Sequence, residues 1–252
     1  MAGPFKFDFF TKNSIPDWCC PACGRPTLEL IPDSFHAKRT SYAQHQYEAD
    51  EGFCPEDDED VFSCLLRCSQ RNCLQPVSVS GDGYHDREYE NSYNGEFNYI
   101  AIYRPRYFYP PLSLFTPCES YPEQIKSQLK EISSHLPGHR QAAINALRTT
   151  LESVLDHFGI PREQQSRYLS LDKRISLIPE PYRYIEAGFR AMKWLGKTGS
   201  HNLKEISDED IEGACVMLDD FLLQIFRQPT DHSETIARLT KNHAPKMRDT
   251  EQ

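Results

Sequence analysis

The residues best suited to chemistry in this chain are cysteines in two close pairs. Cys20 and Cys23 are separated by Pro-Ala and followed by Gly24. A tight turn lets two thiolates at this spacing grip one ion, and a glycine just after it permits a left-handed backbone. Cys68 and Cys73 have four residues between them, at the upper end of the usual range. Both pairs therefore predict metal ligands.

Four thiolate ligands predict a closed, tetrahedral Zn²⁺ site. A closed site is structural rather than catalytic, because no coordination position is left for water. Forty-four residues lie between Cys23 and Cys68, so the predicted ion also joins distant parts of the chain.

The remaining cysteines leave alternatives open. Cys19 competes with its neighbour as a ligand, and Cys54 or Cys64 could replace a member of the second pair. Cys118 and Cys215 lie in the other half of the chain, where we expect them to be small apolar core residues. The alternative to a metal site is a set of free, buried thiols.

Composition predicts a folded protein, and the lack of a recognisable targeting or membrane-spanning segment predicts a reducing compartment. Of the 252 residues, 38% are hydrophobic and 26% charged, which is enough apolar material for a packed core. No signal peptide is recognisable, and no stretch approaches the roughly 18 apolar residues of a membrane span. We therefore expect a cytoplasmic protein, in which clustered cysteines bind metal more often than they form disulfides.

The net charge of −9 is unevenly distributed. Residues 1–120 have a balance of −8 and residues 121–227 a balance of −1. Much of the acidity lies in the run from Glu48 to Asp60, which is typical of a solvated loop. The overall sign argues against tight non-specific binding of nucleic acid, because phosphate neutralisation needs Lys and Arg.

The first half of the chain shows short β patterns around the cysteines. Residues 1–17 form an aromatic arm, and residues 18–120 a zinc-ribbon-containing β region with the acidic loop. Short strands are predicted at Thr27–Ile31, Val61–Arg67 and Pro76–Ser80.

Two segments complete this half of the prediction. The polar residues 81–96 predict a loop or hairpin. The segment Phe97–Phe115 predicts one or two strands, with its prolines at an edge or in a linker.

From Tyr121 the hydrophobic period becomes helical, and a helical bundle is predicted over residues 121–227. The predicted inward faces include Ile125, Leu129, Ile132, Leu136, Leu151, Val154, Tyr184, Ile185, Phe189 and Ile211. A variant capping box starts the last helix at Ser207. Residues 228–252 are predicted to be a flexible tail. The predicted fold class is α+β: a small N-terminal zinc ribbon with short strands, followed by an all-α bundle.

Four short motifs in the second half carry a resemblance to a known family. They are Tyr109-Pro-Pro111, Ala142-Ala143 through Arg148 and Leu151-Glu152, Leu171-Asp-Lys-Arg-Ile175, and Gly196-Lys-Thr-Gly-Ser-His201. Residues 109–226 resemble a bacterial domain of unknown function found at the C-termini of type I restriction-enzyme R subunits and in stand-alone proteins fronted by zinc ribbons. This family looks like a relative of the HEPN helical bundles, many of which are metal-independent RNases or toxins in host defence.

The resemblance implies a candidate catalytic set. His201 matches the family's histidine, which would handle protons of the RNA 2′-hydroxyl. Lys197 and Lys193 stand where the family has Asn and Arg, and Arg190 is a further candidate cation. The resemblance also implies a homodimer through the helical bundle. The alternative for His201 is a hydrogen-bonded loop histidine between two helices.

Three functions follow as hypotheses. The leading one is a non-catalytic recognition or scaffolding protein in phage defence or nucleic-acid processing. The second is a metal-independent endoribonuclease or toxin that uses His201. The third is a sequence-tolerant nucleic-acid binder, in which Arg25, Arg67 and Arg71 contact phosphate.

Overall fold

The computed structural model describes residue 7 and residues 9–49, 52–91, 96–201, 206–227 and 233–243, with the backbone alone at 89–91, 96 and 196–201. In these parts of the chain no helix is long and apolar enough to cross a membrane.

The first half of the chain folds into a five-stranded antiparallel sheet. Its strands are β1 (Leu28–Leu30), β2 (His36–Arg39), β3 (Glu59–Cys68), β4 (Pro76–Asn91) and β5 (Glu96–Tyr109). Both β1 and β2 pair with one side of β3, β4 pairs with its other side, and β5 pairs with β4. Helix α1 (Ser41–Ala49) lies between β2 and β3 in the chain.

Alternation along β3 decides which face of the sheet is buried. Phe62, Cys64, Leu66 and Cys68 are buried, whereas the residues between them are exposed. This period of two places one face on the core and the other in solvent. The inward face packs on the aromatic arm, because the ring centroids of Phe10 and Phe62 lie 5.5 Å apart. Phe10 also exchanges two backbone hydrogen bonds with Tyr103 of β5.

The sheet curls into a half-barrel. Arg106 is the extra residue of a bulge, since Ser80 pairs with Tyr107 but Gly81 pairs with Pro105. A Cβ atom at Gly81 would overlap the Arg104 carbonyl oxygen, so this position needs glycine. A bulge next to a glycine increases local twist and bends the strands.

The predicted small zinc ribbon with short strands is therefore wrong. β4 is 16 residues long and β5 is 14, and they form a long hairpin where residues 81–96 were predicted to be a loop or hairpin. The polar side chains of β4 gave no hydrophobic alternation from which the strand could be predicted. Its backbone groups are satisfied by pairing with β5 whatever the side chains are.

The second half is mainly helical. Its elements are α2 (Glu123–His135), α3 (Arg140–His157), β6 (Glu163–Gln164), β7 (Arg167–Tyr168), α4 (Leu171–Ile175), α5 (Glu186–His201), α6 (Asp208–Phe226) and α7 (Ser233–His243). The predicted all-α bundle is wrong in detail, because β6 and β7 form a two-stranded hairpin.

Helical periodicity predicted most of the buried positions. Ile125, Ile132, Leu151 and Ile211 are all buried. Tyr184 is instead 50% exposed. It lies in a 3₁₀ helix over Glu180–Ile185, where the turn is tighter than the α-helical period used for the prediction.

The predicted cap of α6 is present at Ser207. Its hydroxyl accepts the Asp210 N–H at 3.1 Å and donates to the Asp210 carboxylate at 2.7 Å. Helix α7, by contrast, lies within residues 228–252, and it has no buried residue. Sequence analysis predicted a flexible tail there.

Sheet and helices share one continuous hydrophobic core. Leu112 and Leu114, in the segment between β5 and α2, are buried within it. The Tyr107 hydroxyl and His139 Nε2 form a 2.6 Å hydrogen bond between β5 and the start of α3. The Thr116 hydroxyl donates to Asp219 of α6 at 2.7 Å, which holds the connecting segment against the helices.

Candidate metal centre

The structure brings the four predicted cysteines together. The sulfur atoms of Cys20, Cys23, Cys68 and Cys73 all lie within 4.8 Å of one another. Two of the separations, Cys20 to Cys73 and Cys23 to Cys68, are 3.7 Å. These four thiols form a candidate metal site. It joins the segment before β1 to the turn between β3 and β4.

The first pair is shaped by a tight turn. The N–H of Gly24 donates to the Cys20 carbonyl, and the N–H of Cys20 donates to the Arg25 carbonyl, both at 2.8 Å. Gly24 has a φ of 67°, so the glycine after the turn adopts the predicted left-handed backbone. The Ala22 N–H lies 3.4 Å from the Cys20 sulfur and stabilises charge there.

The second pair repeats this arrangement without a glycine. The N–H of Cys68 donates to the Gln75 carbonyl at 3.0 Å, and the N–H of Leu74 donates to the Gln70 carbonyl at 3.2 Å. Leu74 takes the place of Gly24, with a φ of 51°. A left-handed backbone is unfavourable for leucine, so the surrounding turn must impose it.

The four thiols differ in how readily they ionise. Burial raises the pKa of Cys20 to about 12, although N–H groups of Cys23 and Ala22 favour its thiolate. At Cys68 burial also opposes ionisation, but hydrogen bonds from the Thr27 hydroxyl and the Gln70 N–H outweigh it and lower the pKa to about 7. A bound cation would supply the charge that ionises the remaining thiols.

The other cysteines lie outside this cluster. Cys54 is exposed and Cys19 half-buried. Cys64 is buried in β3, and burial raises its pKa to about 11. Cys215 is buried in α6, where burial raises its pKa to about 12. None of them replaces a predicted ligand among the described residues.

The candidate catalytic cations on α5 are held by acidic neighbours. Arg190 donates to Asp172 at 2.9 Å and to Glu186 at 2.8 Å. Lys193 also pairs with Asp172. The hydrogen bond from Lys193 holds the pKa of Asp172 below its usual range. These two cations are therefore neutralised locally.

His201 was expected in a loop before the last helix, but it is the last residue of α5. The backbone of Lys197 lies in the same helix. The side chains of both residues fall outside the described part of the structure.

Sequence analysis did not single out Arg174, which is buried. Arg174 in α4 is 1% exposed and donates to Asp156 and to the Ile160 carbonyl, while its Nε and Nη1 atoms have no partner among the described residues. The sequence did indicate burial of this arginine, because Arg174 lies on the same apolar helical face as Leu171 and Ile175.

Two family models match separate parts of the chain. A domain of unknown function, DUF8608, matches residues 8–108, which contain the sheet and the four clustered cysteines. A second domain of unknown function, DUF4145, matches residues 130–242, which contain most of the helices. No curated protein and no solved structure matches the chain. The segment between β5 and α2 lies between the two matched regions.

Proposed function

We propose that this protein is a non-catalytic recognition module whose sheet is held in shape by one structural Zn²⁺ ion. The cluster of four sulfur atoms carries the proposal. A Zn–S bond of about 2.3 Å in a tetrahedral site requires sulfur atoms about 3.8 Å apart. Two of the six separations, both 3.7 Å, match that value, and all six are within 4.8 Å.

A site with four thiolates leaves no open position for substrate or water, which is why the proposed role is structural. The pairing of Arg190 and Lys193 with Asp172 supports the same conclusion. Cations already bound to carboxylates on their own surface are poorly placed to stabilise a phosphate transition state.

Metal analysis of the purified protein tests the zinc site. We expect one zinc per chain, and loss of the metal on substitution Cys68→Ser. The matched control is Cys54→Ser, because Cys54 is exposed and outside the cluster. A protein that contains no transition metal, or equal zinc in both variants, contradicts the proposal.

An RNA cleavage assay without added metal tests the non-catalytic role. We expect no cleavage by the wild-type protein and no growth arrest on expression. If the wild-type protein cleaves RNA and His201→Ala does not, the protein is instead a metal-independent endoribonuclease. The homodimer and the setting in phage defence stay predictions from the resemblance.

The solvent-exposed face of the sheet, called the outer face below, favours a partner of a particular kind. In register across β3, β4 and β5 lie Leu65, Ser78 and Tyr109, with Tyr109 78% exposed. Phe9 lies on the same face, 48% exposed, between Tyr84 and Arg104. Small serines in β4 therefore lie between bulkier apolar and aromatic residues.

The outer face is close to charge balance, whereas residues 1–120 as a whole have a balance of −8. By alternation its described strands carry four cations, Lys38, Arg67, Arg104 and Arg106, against five acids, Glu29, Glu59, Asp82, Asp86 and Glu88, and Arg106 is paired with Asp82. We propose single-stranded nucleic acid as the partner, because exposed aromatic rings stack on bases and nearby cations neutralise phosphates.

Fluorescence anisotropy with a labelled single-stranded oligonucleotide of about 15 nucleotides tests this partner. We expect binding that weakens as salt rises, and a roughly tenfold loss of affinity in Tyr109→Ala, since stacking is worth 1–3 kcal/mol per base. Tyr168→Ala is the matched control, because Tyr168 is 67% exposed on β7, which belongs to a separate sheet. No anisotropy change at low salt removes this partner and leaves the zinc site standing.

A further inference from the structure

A cavity of about 650 Å³ lies between the segment that follows β5 and helix α2. One wall is extended chain that includes Pro110, Pro111 and Leu114, and the opposite wall is the face of α2 that carries Lys126 and Leu129. Pockets that bind small molecules usually have volumes of roughly 300–1,000 Å³ and are lined mostly by apolar groups with a few polar ones. This cavity has both properties.

One polar group in the lining is buried without a partner. Tyr121 is 4% exposed, and its hydroxyl makes no hydrogen bond within the described structure. A buried hydroxyl left unpaired costs free energy, so such groups call for an explanation. The Tyr121 ring packs edge-on against Phe226, which keeps the side chain in place.

The charged residues of the lining are two lysines and one acid, Glu119. Lys130 is exposed and makes no ion pair among the described residues. Lys126 lies one helical turn away, but it is paired with Glu123 at 2.7 Å. Lys130 is thus the cation available to a ligand.

The walls are fixed before any ligand arrives. The Thr116 N–H donates to Asp219 at 3.0 Å, and the Ser120 hydroxyl donates to the Phe226 carbonyl at 2.7 Å, so the second half of the segment that forms the wall is tied to α6. Prolines restrict the backbone further. A preformed pocket avoids the ordering cost that weakens binding to flexible sites.

We propose that this cavity binds a small amphipathic anion, with its apolar part against the proline-rich wall and its negative group on Lys130. The Tyr121 hydroxyl hydrogen-bonds to the ligand. The proline-rich wall lies outside both matched family regions. Pro21 of the first cysteine turn also lines the cavity. The proposed ligand differs from the nucleic acid proposed above, although Pro110 of the lining directly follows Tyr109 of the outer face.

Titration of the zinc-loaded protein with 1-anilinonaphthalene-8-sulfonate, followed by its fluorescence, tests the site. We expect one saturable site per chain. Because charge-assisted hydrogen bonds contribute about 1.5–3 kcal/mol, Lys130→Glu weakens binding at least roughly tenfold. N-phenyl-1-naphthylamine, the same ring system without the sulfonate, binds roughly tenfold more weakly than the anion for the same reason. Lys241→Glu, on the exposed helix α7, is the matched control and leaves affinity unchanged.

The variant Tyr121→Phe separates a binding role from a purely structural one. It keeps the ring but removes the unpaired hydroxyl, so we expect a higher melting temperature together with weaker probe binding. Equal affinity in the wild type, Lys130→Glu and Tyr121→Phe, or equal binding of the charged and uncharged probes, overturns the proposal.

Discussion

At the scale of single residues, Leu74 shows how local strain serves the cysteine cluster. It follows Cys73 as Gly24 follows Cys23, and both residues have a positive φ. Only the glycine does so without steric cost. The Leu74 side chain is 51% exposed, so packing does not compensate fully for the strain.

Leu74→Gly is therefore expected to stabilise the metal-loaded protein. A left-handed backbone costs a non-glycine residue about 1–2 kcal/mol, and glycine loses about 0.5–1 kcal/mol of this gain through its unfolded-state entropy. The net gain is about 0.5 kcal/mol in the free energy of unfolding, measured by urea titration. Leu74→Ala keeps the Cβ and should show no gain; a gain in both variants would contradict the strain argument.

Arg174 is the second residue with an unusual environment. Its guanidinium binds Asp156, yet two of its nitrogen atoms are buried without partners in the part of the chain that the structure describes. Hydrogen bonds from Arg162 and then Arg174 hold the pKa of Asp156 below its usual value, so the carboxylate keeps a partner if Arg174 is replaced.

We expect Arg174→Met to change the free energy of unfolding little, because the apolar side chain removes the unpaired donors along with the ion pair. Arg174→Ala should destabilise by about 3 kcal/mol, since it also leaves a cavity. Thermal and chemical denaturation of both variants measure the difference. A large loss of stability in Arg174→Met would show that the ion pair itself is essential.

At the scale of elements, helices were predicted more reliably than strands. The apolar stripe of α2 and the cap of α6 depend on residues three or four positions apart, which the sequence displays directly. The length of β4 depends on β5, whose residues lie as many as 31 positions away, as in the pairing of Ser78 with Tyr109. Its polar residues carry no local sign of that partner.

Loss of the α6 cap gives a direct test at this scale. Ser207→Ala removes the acceptor of the Asp210 N–H, so we expect a loss of about 1 kcal/mol in the free energy of unfolding. Ser207→Thr retains a hydroxyl and should lose much less. Equal losses in both variants would mean that the cap hydrogen bond contributes nothing.

At the scale of the whole molecule, one core couples the cysteine cluster to the helices. Buried residues of the sheet, of the connecting segment and of the helices are in contact as one cluster. A change in the metal site should therefore reach α3 and α6 through the connecting segment, which is tied to α6 by Thr116 and Ser120.

Metal removal tests this coupling. Treatment with a zinc chelator should lower the melting temperature of the helical half as well as that of the sheet, because binding to the folded state alone stabilises everything that unfolds with it. Circular dichroism at 222 nm reports the helices, and added zinc sulfate should restore the original curve. Helices that melt at the same temperature with and without metal would show that the halves unfold independently.

Sequence alone determined the two cysteine turns and most of the buried helical positions. These features depend on spacings of two to five residues, and the backbone geometry of turns and helices makes such spacings readable. The side-chain types of Cys20 and Cys23 already implied their chemistry.

Tertiary structure decided what the distant parts form together. It brought Cys20 close to Cys73 across 53 positions, extended the polar hairpin of β4 and β5, and formed the cavity beside Tyr121. Each of these features depends on contacts between segments far apart in the chain. Their energies come from burial and pairing in the folded state, and no local pattern records them.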